Sequence, residues 1–167
     1  LLVAFAAFGN TIGHQWTYDD FPVVVENPDI TSFANFIKDT YPGRPLRELT
    51  YLFDHALFGF NPLGYHLQSI FWHGMVGFLL SVLLLRLGVS RFFALTAGVL
   101  FLLHPVTVEA VANVSHRKES LALVFALLAL LAYHKTCMTE KRRGLWFVLS
   151  LTLWGIACLG KQTAAGT

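Results

Sequence analysis

Long runs of apolar residues, separated by short clusters of polar and charged residues, dominate this chain. A helix needs about 20 apolar residues to cross the hydrocarbon core of a bilayer, because each residue rises about 1.5 Å. The runs over 67–85 and 92–114 reach this length. Those over 120–133 and 145–160 are shorter and need their flanks, or local thinning of the bilayer, to cross. With 1–13 as the end of a first span, the pattern predicts about five transmembrane helices.

The composition indicates that much of the chain lies in a lipid bilayer. Of its 167 residues, 55% are hydrophobic and 13% are charged, whereas soluble domains carry about 25% charged residues. The 12 basic and 10 acidic residues form no long basic stripe that could follow a nucleic-acid backbone. We therefore expect an all-α, polytopic helical membrane protein that contacts the lipid bilayer and binds no nucleic acid.

Charge asymmetry predicts the orientation of the spans. Short cytoplasmic loops of membrane proteins carry an excess of Lys and Arg. Alternating the spans places nine of the ten acids on one side, whereas the other side holds one acid, Glu140, and six bases: Arg86, Arg91, Lys135, Lys141, Arg142 and Arg143. The basic loops are therefore expected in the cytoplasm, and residues 14–63 are expected to form a long extracytoplasmic loop, periplasmic or luminal.

This first outer loop contains the signals of two short helices. Thr31 or Ser32 can cap a helix that continues to about Lys38, and 44–58 has apolar residues at positions 46, 49, 52, 53 and 57. That spacing makes one apolar helical face. We expect the second helix to lie at the membrane surface with this face in the headgroup boundary, and with the following residues toward water: Arg47, Glu48, Asp54 and His55.

Two adjacent acids, Asp19 and Asp20, follow the first apolar run and are the first candidates for chemistry. Neighbouring carboxylates stay ionised only where solvent, a cation or hydrogen-bond donors hold them. A carboxylate at a membrane boundary can act as general base on a hydroxyl within hydrogen-bond reach. The alternative is that the pair only begins a turn ahead of Pro22.

A second cluster lies where the third apolar run ends. Pro105, directly after His104, is expected to kink this span, and Glu109, Arg117 and Lys118 follow. Ionisable groups at membrane depth mark functional sites, and Arg117 and Lys118 can receive a phosphate. The alternative is that Glu109 and Arg117 pair and neutralise each other.

Four further residues have both a structural and a functional interpretation. Arg44 and Lys161 can bind a lipid headgroup, or can extend to the interface as cationic side chains commonly do. His66 and His73 lie seven residues apart on one helical face. Without a Cys or an HExxH pattern they are a weak zinc site, and we expect them to hydrogen-bond neighbouring helices.

An ordered set of short motifs resembles the transmembrane and tetratricopeptide-repeat proteins of animals and their bacterial relatives. The set covers nearly all of the chain and is specific as a series, although each motif alone is weak. Its members are Tyr18-Asp19-Asp20, Glu26-Asn27-Pro28, Arg44-Pro45-Leu46, Leu57 to Pro62, Tyr65-His66-Leu67 with His73, His104-Pro105-Val106, Val108 to Val111, Arg117-Lys118-Glu119 and Gly160-Lys161.

The resemblance implies a fold and an activity. The family is similar to GT-C glycosyltransferases, including the protein O-mannosyltransferases, which take a sugar from a polyprenyl phosphate. It implies a multi-span helical enzyme in which Asp19 and Asp20 are catalytic. Independently of the resemblance, a divalent metal can share the task with these acids. In this scheme Arg117, Lys118, Lys161 and Arg44 hold the donor phosphate, and His104, Glu109 and His73 support the site.

The chain also departs from the family pattern, which keeps other functions open. His116 stands where many relatives have Gly or Glu, and Ser69 stands near a usual Asn. We expect this chain to be the N-terminal membrane portion only, with later spans and the repeats missing. The alternative function is a non-catalytic membrane subunit or scaffold that packs with other membrane subunits, and a transporter is a third possibility.

Overall fold

The computed structural model describes residues 1–38 and 44–160. Within these ranges the chain is helical and has no β-strand, which confirms the predicted all-α class. Tight 3-10 or π turns connect several of the helices. The helices are α1 (Leu2–Phe8), α2 (Phe33–Lys38), α3 (Pro45–Phe58), α4 (Pro62–Arg86), α5 (Arg91–Leu103), α6 (Val108–Ala112), α7 (Arg117–Met138) and α8 (Arg143–Gly160).

Three helical segments are long and apolar enough to cross a membrane: Pro62–Arg86, Val114–Met138 and Arg143–Gly160. Helix α5 with the segment Pro105–Ala112 makes a fourth if the pair counts as one bent span. All three segments are longer than the apolar runs that predicted them, because their polar ends continue the helix. The stretch Leu2–Gly13 is apolar but shorter than these. The described residues thus contain three to four candidate spans where about five were predicted.

The predicted kink at Pro105 is confirmed. Helix α5 and the segment Pro105–Ala112 meet at an angle of 52°. A residue before proline favours an extended backbone, and His104 has φ −68° and ψ 129°. Its ring nitrogen Nδ1 accepts the Val106 N–H at 3.2 Å, and the Thr107 hydroxyl donates to its carbonyl at 2.7 Å. These bonds satisfy backbone groups that the break releases from the helix.

Helices α4 and α7 lie side by side and run in the same direction. The Arg117 guanidinium at the start of α7 donates to the Tyr65 carbonyl in the first turns of α4. Apolar residues further along both helices belong to one buried cluster. Ser69 of α4 is bonded to Arg117 of α7, which lies 48 residues later in the chain. In the shared cluster Val76 and Val124, and Leu79 and Leu127, are separated by the same 48 residues, as expected for two parallel helices. The short basic connections after α4 and α7 therefore lie at the same end of the bundle, as the orientation argument requires.

Small residues let the helices approach closely. A Cβ on Gly98 of α5 would lie 2.1 Å from the Ser81 Oγ and 2.7 Å from the Gly77 carbonyl of α4. Helix α8 packs back on α7, where the Ser150 hydroxyl donates to the Ala129 carbonyl at 2.9 Å. Small residues thus allow close backbone approach in two pairs of neighbouring helices.

The two helices of the loop 14–63 form where they were predicted. Ser32 caps α2, its Oγ accepting the Asn35 N–H at 3.2 Å. Pro45 occupies the first turn of α3, where its fixed φ suits a helix. Gly59 ends α3 with φ 59°, a left-handed backbone conformation that glycine adopts without strain. The structure thus confirms a helix within each predicted range.

The prediction for the polar face of α3 is wrong for three of its four residues, while the fourth, His55, is half-buried. Arg47, Glu48 and Asp54 are fully buried in protein rather than turned toward water. The apolar side chains Leu49 and Phe53 are exposed instead, Phe53 by 57%. The periodicity located the two faces correctly, but the polar face packs on other parts of the chain that bring partners for its charges. The apolar face is the outer one.

Candidate functional site

Asp20 connects the loop 14–63 to the residues that directly precede α7. Its carboxylate is fully buried. Oxygen Oδ2 accepts the N–H and the hydroxyl of Thr17 at 3.0 and 2.8 Å, and Oδ1 accepts the Ser115 N–H at 2.8 Å. These hydrogen bonds give both carboxylate oxygens a partner inside the protein. Asp20 thus connects two segments that lie 95 residues apart.

Asp19 differs from its neighbour because its side chain is exposed. Tyr18, on its other side, is 92% exposed. Of the two acids that were predicted to be catalytic, Asp19 is therefore the one that a substrate can approach without any rearrangement. The geometry of Asp20 fits a positioning residue.

Arg117 is completely buried at the junction of α3, α4 and α7. It forms an ion pair with Asp54, donates to the Tyr65 carbonyl at 2.8 Å, and lies 4.8 Å from the centre of the Tyr51 ring. Weaker bonds reach the hydroxyls of Thr50 at 3.2 Å and Ser69 at 3.4 Å. Because the guanidinium N–H groups already bond to these buried partners, the geometry favours a structural role for Arg117 over phosphate binding.

A second buried ion pair lies in the first turn of α3. The Arg47 guanidinium contacts the Glu48 carboxylate at 2.6 Å, and the Asn27 amide donates to Glu48 at 2.7 Å. Burial raises the pKa of Glu48, and Arg47 opposes this rise. Burial likewise raises the pKa of Asp54 against the opposing charge of Arg117. Both acids therefore depend on their basic partners to remain charged.

The alternative interpretation, in which Glu109 pairs with Arg117, is wrong. The Glu109 carboxylate instead lies 3.4 Å from Nδ1 of His116, while Arg117 pairs with Asp54. The physical reason is the bend at Pro105. After this bend the Glu109 side chain on α6 is exposed, whereas the Arg117 side chain is buried. Sequence reasoning identified this ionisable cluster but gave His116 no role.

The remaining predicted site residues are spread over several environments. His104 is exposed and caps the turn after α5. His73 is buried, lies 3.2 Å from the Leu102 carbonyl through Nε2, and contacts the Phe8 ring. Lys118 and Arg44 are half-buried. Lys161 lies outside the described residues.

The two histidines of α4 differ in their bonding. His73 reaches the carbonyl of Leu102 on α5, which confirms the expected contact with a neighbouring helix. His66 is fully buried, but neither of its ring nitrogens has a hydrogen-bond partner among the described residues. The expectation for His66 is therefore wrong, and its ring packs near that of His14 at 6.1 Å between centres.

A cavity of about 500 Å³ opens where α4, the broken span and the start of α7 meet. Its inner wall is mostly apolar and includes Val76, Phe101 and Leu123, with His73 beside them. Polar side chains cluster on the part of the wall formed by α6 and the start of α7. These are Thr107, Glu109, His116, Glu119 and Ser120. The cavity is therefore suited to a molecule that has an apolar part and a hydrogen-bonding part.

The described residues do not bring together the side chains that would bind a metal ion. Within residues 1–38 and 44–160 no three or more His, Cys, Asp or Glu side chains form a group that could hold a metal ion. The Asp20 oxygens already accept N–H and O–H groups. The described residues therefore do not fit the divalent metal that was considered from the sequence.

The fold and the ionisable groups at one end of its bundle define a polytopic helical membrane protein. The chain is 30% identical to protein O-mannosyl-transferase Tmtc1 of Drosophila melanogaster, over 97% of this chain and 20% of that protein. It is 31% identical to protein O-mannosyl-transferase TMTC2 of Homo sapiens, over 94% and 21%, and 34% identical to tmtc2 of Xenopus laevis, over 90% and 19%.

The chain belongs to the same family as these relatives, the transmembrane and tetratricopeptide-repeat proteins, which confirms the resemblance seen in its motifs. It spans about a fifth of the length of the curated relatives it matches. No family model matches the chain, and no solved structure matches it.

Proposed function

We propose that the chain is the membrane module of a mannosyl-type glycosyltransferase that moves a sugar from a polyprenyl phosphate to a hydroxyl acceptor. The observation that carries the proposal is the cavity, whose apolar interior and polar side suit a lipid-linked sugar. The names of the relatives, protein O-mannosyl-transferases, support the same reaction class.

In this proposal the two acids of the first loop have different tasks. The exposed Asp19 is an accessible carboxylate that can contact the substrates. Asp20 holds the loop against Ser115, which directly precedes the cavity residue His116. Transfer sites gain rate from groups that are already in position before the reaction, and the Asp20 link provides this rigidity.

The phosphate of the donor needs cationic partners. Arg117 is already paired with Asp54 and bonded to the Tyr65 carbonyl. In the proposal the donor phosphate is therefore bound by Lys118 and Arg44, and by Lys161, which lies outside the described residues. Lys118 directly follows the buried Arg117, so the start of α7 fixes its backbone. His104, Glu109 and His73 lie along the bent span and the cavity and support the site.

The proposed reaction takes place on the extracytoplasmic side. Residues 14–63 lie on this side in the proposal, because the basic connections 87–90 and 139–142 with their flanks satisfy the charge rule for cytoplasmic loops. The structure supports this arrangement by grouping both basic connections at the other end of the parallel helices α4 and α7.

One observation favours the second candidate function, a non-catalytic membrane subunit. Two of the predicted site residues, Asp20 and Arg117, are buried and bonded within the chain. A scaffold that had lost its chemistry would keep such bonds because they stabilise its fold.

A transfer assay separates the two functions. The full-length protein, reconstituted in vesicles, is given polyprenyl-phosphate mannose with a labelled sugar and a Ser/Thr-containing peptide. We expect label on the peptide, and about a 10²-fold lower rate for Asp19→Asn if this carboxylate accepts or holds a proton. Glu26→Gln, an exposed acid of the same loop, serves as the matched control. Absence of transfer by the folded wild-type protein supports the subunit.

A further inference from the structure

Helix α3 has the reverse of the side-chain arrangement that a helix beside water shows. Leu49, Phe53 and Leu57 are exposed and lie four residues apart, so they form one apolar stripe along the helix. The charged residues of α3 are buried in protein: Arg47, Glu48 and Asp54. An apolar stripe that faces outward marks a surface that contacts a membrane or another protein. The outer side of α3 is therefore expected to lie against an apolar neighbour.

A second apolar stripe runs along α4. Phe71, Phe78 and Leu85 are exposed, and each follows the one before it by about two helical turns. These residues therefore lie on one face of the helix. Because α4 is one of the segments that are long and apolar enough to cross a membrane, an exposed apolar stripe on it lies at the depth of lipid acyl chains.

The two stripes meet at an apolar groove between α3 and α4, with a volume of about 570 Å³. Leu49 and Phe53 of the first stripe and Phe71 of the second line this α3–α4 groove. Its other apolar lining residues are Leu52, Ala56 and Trp72. The polar lining residues are Gln68 and Thr50, and the hydroxyl of Thr50 is already bonded to the backbone. The groove is therefore suited to a ligand that is apolar along most of its length.

The position of the groove along α4 indicates its depth in the bilayer. The helix begins at Pro62, and the groove residues between positions 68 and 72 lie about 9–15 Å further along its axis. With 25 residues, α4 is about 37 Å long, whereas the hydrocarbon core of a bilayer is about 30 Å thick. If α4 is centred in the core, the groove lies about 5–11 Å below the core boundary. Its neighbours are then the acyl chains of the leaflet around the start of α4.

We propose that the α3–α4 groove binds one acyl chain of a membrane phospholipid. This inference goes beyond the transfer reaction and does not depend on it. The groove is continuous with the outward apolar stripe of a candidate spanning helix, and its depth is that of acyl chains. The acyl chain packs between Phe53 and Phe71, and the headgroup extends toward the start of α4. The bound lipid thereby attaches the loop helix α3 to the bilayer.

The first test measures phospholipid binding by the full-length protein in detergent, where lipids that only surround the protein are removed. Phosphatidylcholine is added back to the delipidated protein, and bound molecules are counted by native mass spectrometry. Ala56→Trp places an indole ring in the groove. We expect it to weaken binding at one site about tenfold, the effect of excluding two methylene groups from an apolar site. Ala7→Trp changes an exposed alanine of α1 outside the groove and is expected to bind as the wild-type protein does.

The second test locates the bound lipid in the wild-type protein and needs no variant, so it decides the question even if Ala56→Trp does not fold. A phosphatidylcholine that carries a photoactivatable diazirine in its acyl chain is bound to the delipidated protein and irradiated. We expect covalent label on residues 49–56 and 68–72. The control is Phe92 and Phe93 of α5, which are exposed but do not line the groove, and we expect much weaker label there.

Each contrary outcome overturns the proposal and identifies a different situation. Equal label on the groove and on α5 would indicate non-specific lipid contact only. Displacement of the label by an equal concentration of polyprenyl phosphate would assign the groove to the donor lipid. A groove without label or retained lipid would be filled by a further span of the full-length chain or by a second copy. Unchanged binding by a folded Ala56→Trp variant would place the lipid elsewhere. None of these measurements involves sugar transfer, so the proposed function is tested separately.

Discussion

Arg117 and Asp54 form an ion pair in which neither side chain has any solvent exposure. The pair joins the start of α7 to the loop helix α3, and Arg117 adds a bond to the backbone of α4. Three helices therefore depend on one guanidinium. Removing one partner of such a pair leaves an uncompensated charge in the interior, which costs more than an exposed pair contributes.

Replacing Arg117 by Gln is accordingly expected to lower the free energy of unfolding by about 3–5 kcal/mol. The measurement is thermal or denaturant unfolding in detergent. Arg91→Gln removes an exposed arginine at the start of α5 and is expected to stay within about 0.5 kcal/mol of wild type. Equal stability of both variants would show that the buried pair contributes nothing.

The two acids of the first loop are expected to respond differently to the same substitution. Asp20→Asn places an amide donor against N–H and O–H donors of Thr17 and Ser115. We expect it to destabilise the protein by about 1–3 kcal/mol. Asp19→Asn, at an exposed position, is expected to leave the unfolding temperature unchanged. A drop of similar size for both would contradict the separation of their roles.

Because α4 and α5 pack closely at Gly98, we expect a larger side chain at this position to lower the stability of the protein. In Gly98→Ala the added methyl group meets the Ser81 Oγ and the Gly77 carbonyl, so we expect a loss of about 1–3 kcal/mol. In Gly155→Ala on α8 the methyl group has nothing within 4 Å. This control is expected to gain about 0.5–1 kcal/mol from helix propensity alone. The measurement is the unfolding curve of each variant in the same detergent. A Gly98→Ala variant as stable as Gly155→Ala would contradict the prediction.

The orientation of the chain can be tested with a natural and an introduced cysteine. Cys137 is exposed at the end of α7, and Tyr18 is exposed in the loop 14–63. In sealed vesicles, a membrane-impermeant maleimide is expected to label Cys137 only from the cytoplasmic side. In a Cys137→Ser background it should label Tyr18→Cys only from the opposite side. The reverse pattern would remove the first loop from the proposed face of reaction.

Local pattern was sufficient to predict the helices. Apolar run length located α4, α5, α7 and α8, and Pro105 located the break between α5 and α6. The capping signals at Ser32 and Pro45 located the starts of the loop helices. These features depend on residues a few positions apart, which the sequence displays directly.

The partners of the charged residues could not be predicted in this way. Arg117 and Asp54 lie 63 residues apart, and Asp20 and Ser115 lie 95 apart. Nothing local distinguishes Asp54 from an acid that faces water, so the polar face of α3 was assigned to solvent. The tertiary packing of α3 on α4 and α7 reverses that assignment. His116 was missed because its partner Glu109 becomes its neighbour only through the bend.

The long-range bonds of the first loop impose an order on the biogenesis of the protein. The loop is synthesised before α4, α5 and α7, yet its buried groups Asp20, Tyr51 and Asp54 are bonded to Ser115, Val114 and Arg117. Until the chain has emerged to residue 117, these groups lack the partners that residues 114–117 provide. The loop therefore completes its fold after the helices that follow it have been inserted, and Arg117 is the residue whose arrival allows Asp54 to leave water.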